Sequence, residues 1–294
     1  MISGIFVFFI LLAGCASAPQ KLDREPRERK PLVLVSVAPY RFLIEKIGEE
    51  AIDVETIIPS HSNPHAFEPT SKQVLAISRG QIWFRIGEPF EEKLLPMLRK
   101  NNPELAIYDL REGIELQSLS VESDCDSVDH LDRHIWLSPK LAAIQAQTIA
   151  AALQRRFPEN RDLFQKNLDR FLMEIEQLDA EVRSLLEPVQ ERKFIVSHPA
   201  FGYFCREYHL EQLSIEQEGK DPRPRYLEEV LKQAQNAHVA LALALPQHNN
   251  KGAQLIASKM NVPIRVVDPY SPQFFDTVRH LACLLANPYC EDEP

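Results

Sequence analysis

Short apolar runs alternate with helical stretches along most of this chain, and that alternation constrains the fold more than any other feature. Residues 32–37, 54–58, 82–86 and 105–108 read as strands, with helices over about 39–48, 70–78 and 91–98 between them. The pattern resumes late in the chain, with strands at 194–196, 213–215, 239–245 and 264–267 and helices at 200–208, 226–234, 252–260 and 275–285. Strands separated by helices pair in parallel, which gives layered α/β lobes. The alternation is interrupted once. A helix opening at Ser138 and Pro139 is followed by a second helical stretch, 159–187, in which Leu163, Phe164, Leu168, Phe171, Leu172, Ile175, Leu178, Val182, Leu185 and Leu186 fall at helical spacing. At 1.5 Å per residue it would run roughly 40 Å, more than one small lobe needs. The expected organisation is an N-terminal lobe at 32–158, a rigid connecting helix at 159–188 and a C-terminal lobe at 189–294.

The chain has 294 residues, 45% of them hydrophobic, enough for two lobes with substantial cores. A net charge of -9 without a clustered Lys/Arg face argues against a nucleic-acid partner. Glycine is scarce, and neither a GxGxxG nor a Walker pattern is present. At the N-terminus, residues 5–12 form an apolar run too short to span a bilayer, which reads as an export signal covering 1–15. "LAGC", ending at Cys15, resembles the lipobox of bacterial lipoproteins, which implies lipidation at Cys15 and a charged tether over 16–31. Cys125, Cys205, Cys283 and Cys290 remain, and Cys283 with Cys290 could close the C-terminal end, though spacing leaves the pairing open.

Histidine placement carries the chemistry. His65 in "SNPHAFEPT", His134 in "DRHIWLSP" and His198 in "VSHPAFGYF" each sit on a turn leading into a helix, and His198 directly follows a strand. Asp268 in "VVDPYSP" also directly follows a strand. Ligands of open α/β sheets bind beyond the carboxyl ends of the strands, so all of these face one cleft. Three neutral imidazoles and a carboxylate form an N/O set suited to Zn2+. Pro64, Pro199 and Pro269 would hold the backbone beside three of these residues. His248 in "LPQHNN" also follows a strand and is an alternative ligand. His61 and His130 lie in polar loops, while His209, His238 and His280 suit solvated or capping roles.

"NPHAFEPT", "DRHIWLSP", "SHPAFGYFCREYHL", "EGKDPRPRYLEEVL" and "VVDPYSP", in this order, resemble the zinc/manganese solute-binding proteins of bacterial ABC transporters, the ZnuA/TroA-like group. The resemblance implies two α/β lobes joined by a backbone helix, and a metal held between them by His65, His134, His198 and Asp268. It also implies a lipid-anchored monomer on the periplasmic or extracellular face of the cell envelope, delivering metal to an ABC permease. Relatives carrying manganese tend to have a carboxylate where this chain has His198, which favours Zn2+ over Mn2+ or Fe2+. The second motif departs from the group's usual Asp-Pro-His and Asp-Pro, which bears on the contacts around His134. The competing readings are a zinc hydrolase with Asp268 or Glu68 as base, and an adhesin whose metal is structural. The hydrolase lacks HExxH and needs an open coordination position.

Overall fold

A computed structural model describes residues 30–59, 62–118, 131–189, 193–216 and 222–290. Cys15, His61, Cys125 and His130 lie outside them. Strands β1 (Leu32–Val35), β2 (Asp53–Thr56), β3 (Ile82–Arg85) and β4 (Ala106–Asp109) form a parallel sheet in the order β2-β1-β3-β4. Strands β5 (Lys193–Val196), β6 (Glu211–Ser214), β7 (Ala242–Ala244) and β8 (Ile264–Val266) repeat that order as β6-β5-β7-β8. The leading strand of each sheet is covered on both faces, with Val33, Leu34 and Val35 in one and Phe194, Ile195 and Val196 in the other at most 1% exposed. Such burial explains why these strands are apolar throughout and do not alternate.

Helices α1 (Ala38–Gly48), α2 (Ser71–Ile77), α3 (Pro89–Asn101) and α4 (Pro139–Arg156) belong to the first lobe; α6 (Gly202–Tyr208), α7 (Pro224–Asn236), α8 (Lys251–Met260) and α9 (Phe274–Ala286) belong to the second. Proline occupies the first or second position of α1, α3, α4 and α7, where its missing N–H has no helical partner to lose. Thr70 and Gln73 close a capping box at α2, and the Ser138 hydroxyl accepts from the Leu141 amide at α4.

The connecting helix, α5 (Arg161–Leu186), has 26 residues and so spans about 39 Å. Its buried stripe of Phe164, Leu168, Phe171, Ile175, Leu178, Val182 and Leu186 packs on α1, α4 and α9. Phe171 is the hinge of this packing. It stacks on Phe275 of α9 with ring centroids 5.7 Å apart and meets Phe42 of α1 edge-on at 6.2 Å. One hydrophobic core therefore runs from β1 through α5 to α6 and α9, and a smaller one lies under α7 and α8. A shared core ties the lobes together and leaves the cleft at the strand ends as the place where they can part.

A disulfide joins Cys283 to Cys290, and Cys205 is a buried free thiol. His209, in the left-handed conformation at φ 58°, terminates α6. No helix among the described residues is long and apolar enough to cross a membrane.

Candidate metal centre

Both sheets reverse their order between the leading strand and the third, so each lobe opens a crevice at its carboxyl end. His65 follows β2, Glu88 follows β3, and the Asp132–His134 segment follows β4; His198, Glu216, His248 and Asp268 follow β5, β6, β7 and β8 in turn. The two crevices face each other.

Each of three histidines is held by its own carboxylate. His65 sits in a 3-10 turn, Pro64–Ala66, capped by Asn63, whose side-chain oxygen accepts from the His65 amide. Its Nδ1 lies 3.0 Å from Glu88 Oε2, and Glu88 is fully buried. Asp132 Oδ1 accepts from the His134 amide at 2.9 Å and from His134 Nδ1 at 2.7 Å. His198 Nδ1 donates to Glu216. With Nδ1 engaged, Nε2 of each ring is turned inward, and the three nearest donor nitrogens of His65, His134 and His198 lie within 4.8 Å of one another. His65 Nε2 and His198 Nε2 are 3.3 Å apart. Two imidazoles on one tetrahedral zinc, with bonds of about 2.0–2.1 Å, place their nitrogens roughly 3.3 Å apart.

Asp268 behaves differently. Its Oδ1 accepts from Gln247 Nε2 and from the Tyr270 amide, both at 2.9 Å, and it is not part of the three-histidine set. It lines a neighbouring interlobe cavity of about 250 Å³ together with Ile58, Pro59, Pro64 and Tyr270. His248 stacks on His198, ring centroids 3.9 Å apart and planes inclined by 16°, and forms a second donor group with His198 and Glu216.

The lobes are also stitched across the site. Tyr270 hydroxyl lies 3.0 Å from His134 Nε2, and Trp136 Nε1 donates to the Pro269 carbonyl at 2.8 Å. Here the "DRH" departure is resolved: Asp132 supplies the support for His134 without a proline at position 133.

Burial pushes the His134 imidazole well below its ordinary range, and repulsion from His65 adds to this. Burial also brings His198 down to about 3, against the opposing pull of Glu216. Burial acts on His65 in the same sense, but the charge and hydrogen bond of Glu88 outweigh it, so His65 is raised above 6.5. For Glu216, burial is overcome by the hydrogen bonds of His198 and His248, which hold it at about 2. Burial lifts Asp132 to about 7. Near neutral pH His134 and His198 are thus neutral, and His65 is the first of the three to take a proton.

Glu88, Asp132, Glu216 and Tyr270 were not anticipated from sequence. Glu88 and Glu216 obey the same end-of-strand rule as the histidines, and Asp132 sits two residues before His134. That rule, applied to acids as well as to imidazoles, would have found them.

Residues 33–287 match the family described as zinc-uptake complex component A, periplasmic. The high-affinity zinc uptake system protein ZnuA of Bacillus subtilis (strain 168) is 29% identical over 234 residues, covering 76% of this chain and 73% of that protein. A Chlamydia muridarum protein whose name refers to metal binding is 29% identical over 266 residues, covering 90% of this chain and 93% of its own. A crystal structure of ZnuA superposes with a TM-score of 0.81 at 33% identity, covering 88% of this chain and 98% of that one. With a match that runs from β1 to the end of α9 and a fold shared at that identity, this chain belongs to the ZnuA family.

Proposed function

We propose that this protein captures zinc outside the cytoplasm and hands it to an ABC permease. One observation carries the reading: His65, His134 and His198, drawn from both lobes, each present Nε2 inward while a carboxylate holds Nδ1. Carboxylate–histidine pairs of this kind orient zinc ligands and raise their basicity. Asp268, at the mouth of the same cleft, is the fourth donor of this reading, reached when the ion draws it from Gln247. Imidazole donors suit zinc, whereas manganese favours a carboxylate-rich set.

Carriage without catalysis is the second part of the proposal. Glu68, a base in the rival hydrolase reading, has its side chain 74% exposed and pairs with Lys93. Asp268, the other, accepts two hydrogen bonds on one oxygen. Four protein donors would leave a bound ion no position for an attacking water. The N-terminal lipobox-like segment supports lipid anchoring at Cys15 and a place on the outer face of the envelope, where a monomer would meet its permease.

The test is calorimetric titration of the metal-stripped chain with zinc and with manganese. One tightly held zinc per chain is expected, with manganese bound far more weakly. Alanine at His65, His134 or His198 should each weaken zinc by more than the roughly 10–100-fold that loss of an outer-shell partner brings. Unchanged zinc affinity in these variants would refute the assignment.

A further inference from the structure

The segment that carries His134 is gripped at both ends by the opposite lobe. On its N-terminal side, the buried Tyr203 hydroxyl of α6 donates to the Asp132 carbonyl at 2.8 Å and accepts from the Gln117 amide at 3.0 Å. The Asp132 amide closes this triangle on the Gln117 carbonyl at 2.8 Å. On its C-terminal side, the Ser138 hydroxyl donates to Glu207 of α6, whose side chain is 8% exposed. Ser138 caps α4, so the Glu207 carboxylate stands at the N-terminus of an 18-residue helix, where negative charge is favoured, and the Lys140 amide adds to its hold. Tyr203 and Glu207 are an i, i+4 pair and so share one face of α6. Gly202, the first residue of that helix, lets it come close: a Cβ there would stand 2.6 Å from Asp132 Oδ2, too near unless the carboxylate moves. The other oxygen of Asp132 orients His134 through its amide and its Nδ1.

We infer that α6 is a positioning element of the metal centre, with Gly202, Tyr203 and Glu207 setting the placement of His134 from the second lobe. This deepens, and rests on, the proposal that His65, His134 and His198 hold zinc. His134 belongs to the first lobe by its place in the chain, yet its backbone is fixed by a helix that begins just after His198. One short helix therefore governs two of the three donors and holds their spacing when the lobes shift. Zinc–nitrogen bonds of about 2.0–2.1 Å tolerate little displacement, so a small slide of the segment from Asp132 to Ser138 costs affinity although no ligand is touched. Alanine is the better helix former than glycine, so helix propensity does not explain Gly202, whereas its approach to Asp132 does.

The test is chelator competition for zinc on the full chain, wild type against Gly202→Ala, Tyr203→Phe and Glu207→Ala. Each variant should bind zinc roughly tenfold more weakly or worse, as loss of an outer-shell partner does. Glu207→Gln should recover part of the loss, since its amide oxygen still accepts from Ser138. Imidazole nitrogen NMR of the metal-free variants supplies a readout that a merely structural role would not give: the His134 ring signals should move while those of His65 stay. Thermal melts check that each variant is folded. If Gly202→Ala does not fold, Tyr203→Phe, which deletes only a hydroxyl, decides. Unchanged zinc affinity in the folded variants, or His134 signals that stay in place or move no more than those of His65, would overturn the role of α6 and leave the three-histidine site standing. A wild-type chain that takes up no zinc would overturn both.

Discussion

His65 Nε2 and His198 Nε2 face each other at 3.3 Å from opposite lobes, although 133 residues separate them in the chain. With Nδ1 of His198 donated to Glu216 and Nδ1 of His65 directed at Glu88, two lone pairs would confront each other in the gap. A proton on His65, whose basicity Glu88 raises, relieves that repulsion in the metal-free protein. Zinc relieves it better, by accepting both.

This arrangement sets the proton stoichiometry. His134 and His198 are depressed below 6.5 by burial and stay neutral in mild acid, whereas His65 is raised by Glu88. Of the three histidines, only His65 should release a proton to zinc near neutrality, so affinity falls about tenfold per pH unit below its elevated pKa, not a hundred- or thousandfold. Calorimetry in buffers of different ionisation enthalpy counts the released protons. A release of two or three at pH 7 would contradict the assignment.

Glu216 anchors the rings of both His198 and His248. Glu216→Ala should weaken zinc by roughly 10–100-fold without removing a direct ligand. Chelator competition measures this. Glu216→Gln should recover part of the loss, since its amide oxygen can still accept one Nδ1–H.

Tyr270 has the opposite effect. Its hydroxyl occupies His134 Nε2 at 3.0 Å, the atom the ring offers to the metal. Tyr270→Phe should therefore destabilise the metal-free protein by about 1 kcal/mol and leave zinc affinity unchanged or up to about fivefold tighter. Weaker zinc binding in this variant, measured beside its thermal melt, would show that the hydroxyl supports the bound state instead.

Phe171 joins the lobes by stacking on Phe275 and meeting Phe42. Phe171→Ala should cost about 3–5 kcal/mol in urea unfolding, the range for truncating a fully buried aromatic. Because the same core limits how far the cleft can open, small-angle scattering should show a larger difference between metal-free and zinc-loaded forms than in the wild type.

Acid should also act on the metal-free fold. His198 falls to about 3 in the folded state against an ordinary 6.5, so its contribution to stability is present above 6.5 and is lost as pH falls towards 3. Asp132, lifted to about 7, acts in the opposite sense: its contribution is present below its ordinary 3.8 and is lost as pH rises through 7. His198→Phe should flatten the acid limb of the thermal-stability profile measured between pH 3 and 6.5 if that imidazole carries it.

The strand and helix alternation, the apolar stripe of α5 and the position of His65, His198 and Asp268 at strand or turn ends were legible because each depends on neighbours within a few residues. Periodicity and end-of-strand position are local properties, and burial on both faces of β1 and β5 leaves its trace in their apolar runs. The supports of the site were not legible. Glu88 meets His65 across 23 residues at the carboxyl ends of two strands of one sheet, and Tyr270 meets His134 across 136, a pairing set by how the two sheets face each other across α5. The same packing drew three histidines together, while the strand order within the second sheet tied Asp268 to Gln247 and stacked His248 on His198. Sequence by itself determined which donors stand at the ends of strands, since hydrophobic patterning sets where each strand stops. Only the tertiary structure decided which of them converge, because that depends on the relative placement of two lobes whose shared core is built from residues far apart in the chain.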